Sequence, residues 1–239
     1  MEYQKDFYSD RHISTSSSAS EILRVFLKIY KPKSAVDVGC GVGTWLEVLK
    51  RNGCRDVLGI DSSDVPTKYL RLKKDEFLVK NLERPFNLKK RYDLSLSLEV
   101  AEHLTSKAGR LLIKNLCSLS DVVLFSAAIP GQGGVNHINE QWQSYWQKLF
   151  FKEKYICLDL LRPQIWNNNK IYYWYRQNIL VYIRKNSKRI SKHLIDRSII
   201  INPFIADVVH PESYILKSKL SKLNLIVSKV INLVSKITK

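Results

Sequence analysis

The chain has 239 residues, of which 45% are hydrophobic and 26% are charged, a balance typical of a globular protein with a sizeable core. This composition excludes a fibrous or wholly disordered chain, and no apolar run in it approaches the length of a membrane span. The N-terminus lacks the basic and then apolar character of a secretory signal, so we expect a cytoplasmic protein. Its four cysteines show no metal-like pairing and are expected to be free thiols.

The formal net charge is +17, and much of the excess lies near the C-terminus. Residues 184–239 hold 12 lysines and arginines against 3 acidic residues. Such a concentration indicates contact with an anionic partner, either phospholipid or nucleic acid. A solubilising lysine-rich tail would have the same composition, so these alternatives stay open.

In chain order, the first predicted element is a helix. Ser18 and Glu21 have capping-box spacing and begin an apolar periodic run that ends before Pro32. Residues 1–20 precede the apolar residues of that run. We expect them to form either a lid over a ligand or a disordered start.

Strands and helices then alternate along the chain. The predicted strands are residues 34–38, 56–61, 77–80, 92–98, 122–126, 155–161 and 177–183, and the predicted helices between them are residues 45–50, 105–119 and 140–151. This alternation predicts an α/β fold, Rossmann-like and doubly wound, with a mostly parallel seven-stranded sheet covered on both faces. The predicted main domain spans residues 21–185, and a basic extension spans residues 186–239.

A glycine-rich loop follows the first predicted strand, in Val36-Asp-Val-Gly-Cys-Gly-Val-Gly-Thr-Trp45. Gly39, Gly41 and Gly43 allow the backbone to turn tightly and to approach a ligand closely. Their G-x-G-x-G spacing differs from the G-x-G-x-x-G of dinucleotide-binding proteins. Asp61 ends the next strand, where a carboxylate meets a ribose diol in doubly wound folds. The loop and this acid together predict a nucleoside-binding site.

Asp37-x-Gly-x-Gly-x-Gly43 resembles motif I of class I S-adenosylmethionine-dependent methyltransferases. Asn81-Leu82 resembles the adenine-contacting pair of that family, which more often has Asp at the first position, and Asp61 matches its ribose-binding acid. Leu98-Glu-Val-Ala-Glu-His-Leu104 resembles the segment after strand four in many O-methyltransferases. The resemblance covers residues 20–185. It implies S-adenosyl-L-methionine as cofactor, bound by Asp37, Gly39, Gly41, Gly43, Asp61, Asn81, Leu82 and Glu99.

A narrower resemblance concerns the acceptor. Residues 128–146 and 208–214 resemble segments of methyltransferases found with polysaccharide and glycan biosynthesis, which implies that a sugar or glycan hydroxyl receives the methyl group. An RNA 2′-O-methyltransferase and a non-catalytic scaffold with the same fold are the alternatives. The first is weakened because the sequence contains no recognisable RNA-binding module.

A sugar hydroxyl is a poor nucleophile until it loses its proton, so a base or a metal must assist. His103 and His137 are the candidate catalytic bases, because neutral imidazole suits proton abstraction near pH 7. Glu99, Glu102, His103 and His137 also resemble the Glu-x-x-Glu-His plus distal His site of small-RNA 3′-end 2′-O-methyltransferases. That resemblance implies Mg²⁺ or another divalent cation, held by all four residues. Many class I methyltransferases keep Glu-x-x-Glu-His without a metal, so both roles stay open.

Several aromatic residues cluster around the predicted loop regions. We expect them to form either a platform on which a sugar ring stacks or part of the core. These residues are Trp142, Trp146, Trp166, Tyr172, Tyr173 and Trp174.

The basic extension ends in a regular apolar repeat. Apolar residues recur with alternating four-three spacing at positions 216, 220, 223, 227, 230, 234 and 237. The pattern predicts a basic amphipathic helix over residues 214–238. Such a helix can lie on an anionic membrane surface, pair with a second copy, or dock on its own domain.

Overall fold

The computed structural model describes residues 3–62, 65, 67–187 and 207–219, and the side chains among them apart from those of residues 3–14 and Thr67. The chain divides into two compact units, Met1–Val208 and Val209–Lys239. In the second unit, residues 211–219 are helical. Most of the predicted amphipathic helix, from residue 220 onward, lies outside the described residues. Its membrane, self-association and docking alternatives therefore stay predictions.

Seven strands form one sheet in the order β3-β2-β1-β4-β5-β7-β6. Strands β1 to β5 run parallel to one another, and β7 runs antiparallel to both β5 and β6. The strands are β1 Ser34–Val38, β2 Asp56–Asp61, β3 Phe77–Val79, β4 Leu94–Leu98, β5 Val122–Ser126, β6 Tyr155–Leu158 and β7 Leu180–Arg184. The predicted α/β fold with a mostly parallel seven-stranded sheet is confirmed.

The helices are α1 Tyr3–Ile29, α2 Thr44–Arg51, α3 Ser106–Leu119, α4 Gln143–Lys152, α5 Arg162–Ile165 and α6 Tyr173–Asn178. The N-terminus of α3 is capped by Thr105, whose hydroxyl accepts a hydrogen bond from the Ala108 amide at 3.2 Å. The short helix α6 was not predicted. It occupies the beginning of the segment that the sequence assigned to the last strand, and so that strand begins at Leu180.

The capping box predicted at Ser18 was wrong. Ser18 lies in the interior of α1 and is fully buried, and its hydroxyl accepts a hydrogen bond from the Tyr172 amide at 3.1 Å. A tertiary contact thus uses the side chain that the sequence pattern had assigned to a helix end. Residues 3–20, predicted as a lid or a disordered start, are helical backbone, and a lid role for them stays a prediction.

Helices cover both faces of the sheet. On one face, Phe26 of α1 and Leu46 of α2 pack in a common cluster with Leu96 of β4. On the other face, Leu112 of α3 packs in a cluster with Phe125 of β5. Successive strand residues point to opposite faces, so β5, for example, contributes Leu124 to the first cluster and Phe125 to the second. The resulting three-layer sandwich holds the carboxyl ends of β1–β5 at one edge of the sheet.

Two further expectations can be compared with the structure. The four cysteines, Cys40, Cys54, Cys117 and Cys157, are free, as the sequence predicted, and the structure shows that all four are buried. Among the described helices, none combines the length and apolar character needed to cross a membrane.

Neighbouring phenylalanines of α4 test how the core is packed. Phe150 is fully buried and stacks on Tyr182 with ring centroids 3.8 Å apart, whereas Phe151 is 70% exposed. We expect Phe150→Ala to lower the free energy of unfolding by about 3–5 kcal/mol. Phe151→Ala should change it by less than about 0.5 kcal/mol. Guanidinium unfolding of both variants checks this, and equal losses would contradict the packing described.

Candidate active site

A cavity of about 910 Å³ opens at the carboxyl edge of the sheet, near the upper end of the size range of ligand clefts. Residues at or just after the ends of β1 to β4 line it, and open α/β sheets bind ligands at this edge. Six of the eight predicted cofactor-binding residues are among the lining residues: Gly39, Gly41, Asp61, Asn81, Leu82 and Glu99. Asp37 and Gly43 are the two that do not line it. The sequence motifs therefore converge on one cavity.

The glycine loop after β1 has left-handed backbone at Gly39, Gly41 and Gly43, with φ angles of 84°, 54° and 86°. At Gly39 an added Cβ would stand 2.5 Å from the Val100 side chain, so the loop packs too closely there for any other residue. At Gly41 nothing lies within 4 Å of such a Cβ, which would project into open space. Gly41 thus presents bare backbone to the cavity.

Asp61 ties this loop to the end of β2. Its carboxylate accepts hydrogen bonds from the Gly41 amide at 2.6 Å and from the Ser62 amide at 2.7 Å. Asp37 lies beneath the loop and is only 2% exposed. Burial, and secondarily the charge of Asp61, raise the pKa of Asp37 to about 7. The two carboxyl groups form a concentrated acidic pole under the loop.

Glu99 follows β4 with a φ of 56°, which is uncommon for a residue with a side chain. Its carboxylate accepts hydrogen bonds from the Gln132 amide at 3.0 Å and the Asn178 amide at 3.3 Å. Gln177 joins this network by donating to both Gln132 and Asn178. Burial raises the pKa of Glu99. The sequence did not reveal these amides, because they come from the loop after β5 and from α6.

Three of the four predicted metal ligands meet beside the cavity. One ligand atom from each of Glu102, His103 and His137 lies within 4.8 Å of the others, and the two imidazole centroids are 4.8 Å apart. Glu102 and His103 belong to a 3-10 turn, and only His103 of the three lines the cavity. His137 comes from the loop after β5, which is anchored by the Ile138 and Asn139 amides donating to the Glu102 carbonyl.

Glu102 is an unusual member of this group. It is only 1% exposed, and burial, reinforced by the charge of Glu99, raises its pKa well above the ordinary value. Its Oε2 atom has no hydrogen-bond partner among the described residues. A buried carboxyl oxygen without a partner is costly, and a proton or a cation would relieve that cost.

The donors in this group fit a divalent cation that accepts imidazole. One carboxylate and two imidazoles suit Zn²⁺, Fe²⁺ or Mn²⁺ better than Mg²⁺, which prefers oxygen ligands. The structure does not bring Glu99 into the group, since amide hydrogen bonds engage both of its carboxylate oxygens. The histidines can equally act as bases without a metal.

The predicted aromatic residues divide between two environments. Trp146 is 1% exposed and belongs to the core, as expected for most aromatic residues. Tyr172 is partly exposed and stacks on Trp174 with centroids 4.0 Å apart and an interplanar angle of 15°. Trp174 also contacts the ring of Tyr175, which lines the cavity. The stacked pair Tyr172 and Trp174 is thus connected to the cavity wall through Tyr175.

Comparison with known families agrees with this arrangement of glycine loop, acidic pole and cavity. A family model described as a methyltransferase domain matches residues 10–155. The chain belongs to this methyltransferase family.

A ubiquinone biosynthesis O-methyltransferase from Acinetobacter baylyi is 34% identical to this methyltransferase over 85 residues. The match covers 32% of the chain and 35% of the relative, so the chain spans about a third of that protein's length.

Two solved structures share its fold. An O-methyltransferase family protein from Burkholderia thailandensis superposes with a TM-score of 0.53 at 15% identity, covering 72% of this chain and 55% of that one. A magnesium protoporphyrin IX methyltransferase from Synechocystis PCC 6803, with bound S-adenosylmethionine, gives a TM-score of 0.50 at 19% identity, covering 76% and 83%. Together with the family match, this fold supports S-adenosylmethionine as the cofactor of the methyltransferase.

Gly41→Ala tests whether the cofactor approaches the bare backbone of the loop. Gly53→Ala is the matched control, because both glycines have positive φ and open space at Cβ, while only Gly41 lines the cavity. Alanine costs about 1–2 kcal/mol of backbone strain at either position. In calorimetric titrations, we expect only Gly41→Ala to weaken S-adenosylmethionine binding, by about 1–3 kcal/mol for the inserted methyl group. Equal affinities of the two variants would contradict the site.

Asp37 predicts a specific pH dependence of stability. Its pKa rises from 3.8 to about 7 on folding, so the folded protein holds an extra proton between these pH values. The stabilisation from that proton is complete below about pH 4 and is lost as the pH rises to 7, at up to about 1.4 kcal/mol per pH unit. We expect Asp37→Asn to remove this slope in denaturant unfolding measured across the pH range. Parallel curves for the variant and the wild type would contradict the raised pKa.

Proposed function

We propose that the chain is an S-adenosylmethionine-dependent O-methyltransferase that acts on a sugar or glycan hydroxyl. The observation that carries the proposal is the meeting of His103 and His137 beside the cavity that the glycine loop and Asp61 line. A hydroxyl acceptor must lose a proton during methyl transfer, and imidazole is the side chain best suited to accept it near neutral pH.

Bound S-adenosylmethionine supplies a methyl group on a positively charged sulfur. The glycine loop and Asp61 hold the nucleoside end of the cofactor, which fixes the direction in which the methyl group faces. The carboxylate of Asp61, which accepts hydrogen bonds from the Gly41 and Ser62 amides, supplies negative charge here and favours a cationic ligand. His103 or His137 would take the hydroxyl proton as the acceptor oxygen bonds to the methyl carbon, the methyl–sulfur bond would break, and S-adenosylhomocysteine would leave.

A divalent cation is the second way to activate the hydroxyl. Glu102, His103 and His137 are the residues that would hold it, and it would lower the pKa of the hydroxyl by charge alone. The Oε2 atom of Glu102 has no hydrogen-bond partner among the residues that the structure describes, which supports this alternative, since a metal ligand has its oxygen directed at an ion and not at a hydrogen-bond donor.

The choice of a hydroxyl on a sugar rests on two supports. The stacked pair Tyr172 and Trp174 offers a flat apolar surface near the cavity-lining Tyr175, and aromatic faces pack well against sugar rings. The resemblance of residues 128–146 to glycan-associated methyltransferases points the same way. The likeness to a ubiquinone biosynthesis O-methyltransferase supports methylation of oxygen more generally.

An acceptor screen with methyl-labelled S-adenosylmethionine tests the proposal. Soluble glycans, lipid-linked glycans and short RNAs are offered in parallel, each with chelator and with added Mn²⁺, Zn²⁺ or Mg²⁺. We expect label on a glycan hydroxyl and a loss of about 10²–10⁴-fold in kcat for His103→Ala or His137→Ala, whichever is the base. The dissociation constant of S-adenosylmethionine should stay unchanged in both.

Three outcomes decide between the alternatives. Label on a ribose hydroxyl of RNA and on no glycan would replace the proposed acceptor. Activity that a chelator abolishes and a metal restores would assign the three side chains to a cation. Undiminished activity in both histidine variants would remove the imidazoles from the chemistry.

A further inference from the structure

We propose that Glu140 is a positioning residue that holds the His137 imidazole with its proton on Nδ1. Atom Nε2 of His137 is thereby left with a free lone pair for the acceptor hydroxyl or a cation. The inference rests on the proposed function, because only there does His137 have a chemical task.

The geometry shows a carboxylate clamped at both of its oxygens. Glu140 Oε1 lies 2.9 Å from His137 Nδ1 and also accepts a hydrogen bond from the Gly133 amide at 2.7 Å. Its Oε2 accepts one from the Gly131 amide at 2.7 Å. Two backbone amides of the same loop therefore hold the carboxylate in place independently of its contact with the imidazole.

The charge state of Glu140 decides the direction of its bond to His137. Each oxygen of the Glu140 carboxylate accepts a backbone N–H, from Gly133 at Oε1 and from Gly131 at Oε2, and hydrogen bonds to the charged form keep a carboxylate ionised. An ionised carboxylate can only accept hydrogen bonds, so His137 Nδ1 must donate. In a neutral imidazole with Nδ1 protonated, Nε2 is the basic and metal-binding nitrogen.

The His137 ring occupies space that a side chain at position 134 would fill. A Cβ added at Gly134 would stand 2.3 Å from His137 Nε2. Gly134 does not have a positive φ, so its backbone conformation is not unusual. Its lack of a side chain leaves room for the His137 ring. With Nδ1 bound to Glu140, Nε2 is the nitrogen available to face Glu102 and His103 in the three-residue group.

A purely structural role for Glu140 is the competing explanation, since its carboxylate also ties the loop together. The two roles differ in what they predict for the imidazole proton. A loop brace would leave the His137 tautomer unaffected once the protein is folded. A positioning residue sets that tautomer directly, and a measurement of the ring nitrogens distinguishes the two.

Nitrogen NMR of protein labelled with ¹⁵N at its five histidines gives this measurement. His137 is assigned from the signal that disappears in His137→Gln. We expect the wild type to show the Nδ1-protonated form at His137 and Glu140→Ala to shift it toward the Nε2-protonated form that free histidine prefers. Asp75→Asn, which removes an exposed charge elsewhere, should leave the signal unchanged. A wild-type His137 protonated on Nε2, or a tautomer unaffected by Glu140→Ala, would overturn the inference.

Gly134→Ala provides a second variant in which Glu140 is intact, in case Glu140→Ala does not fold. Its methyl group should push the ring off the carboxylate, so the Nδ1-protonated population should fall here also. With the acceptor found in the screen, we expect kcat to drop about 10–100-fold in either variant while the dissociation constant of S-adenosylmethionine stays constant. An unchanged tautomer and kcat in Gly134→Ala would overturn the inference.

The NMR measurement needs no acceptor, so the two proposals can fail separately. If the wild type shows the expected tautomer but methylates no hydroxyl, the proposed function is wrong and the positioning role of Glu140 is retained. If the protein methylates a glycan but His137 carries its proton on Nε2, the positioning role of Glu140 is wrong and the proposed function is retained.

Discussion

The active site depends on one constraint, the parallel course of β1 to β5. Parallel strands end at the same edge of the sheet, so the loops that follow them must meet there. For example, the hydrogen bond from the Gly41 amide to Asp61 joins the loop after β1 to the end of the neighbouring strand β2. Glu99 after β4 and His137 after β5 reach the same edge for the same reason. No single segment contains the site, and the sheet assembles it.

Assembling several carboxyl groups in one place opposes folding, and the surrounding residues limit the cost. Asp37 and Glu102 are buried and Glu99 is partly buried, and burial raises the pKa of each. The amides of Gln132 and Asn178 satisfy Glu99 with hydrogen bonds, whereas Glu102 keeps one oxygen without a partner among the described residues. Glu99 is therefore held in place by its hydrogen bonds, whereas Glu102 is ready to receive a proton or a cation. Such strained groups are typical of functional sites.

The sequence predicted those features that arise from local signals. The glycine loop, Asp61 and the mostly parallel sheet were predicted from short local patterns, and the structure brings the loop and Asp61 together. Features that depend on distant partners could not be predicted. Ser18 has the spacing of a helix cap, yet its hydroxyl bonds to a residue 154 positions away. Gln132 and Asn178 are 46 positions apart, and no sequence pattern connects them. Glu140 was assigned to a helix, because its hydrogen bonds with the Gly131 and Gly133 amides of the loop after β5 are not visible in a sequence pattern.

The burial of all four cysteines has a practical consequence. Burial raises the pKa of Cys54 to about 11 and that of Cys157 to about 12, and it raises the pKa of Cys40 and Cys117 as well. At neutral pH none of them presents an accessible thiolate, the form that reacts with alkylating reagents. A cysteine introduced at an exposed position would therefore take up a spin label or fluorophore selectively, with the native thiols left in place. Distances between labelled positions, with and without cofactor, can then be measured on an otherwise unaltered chain.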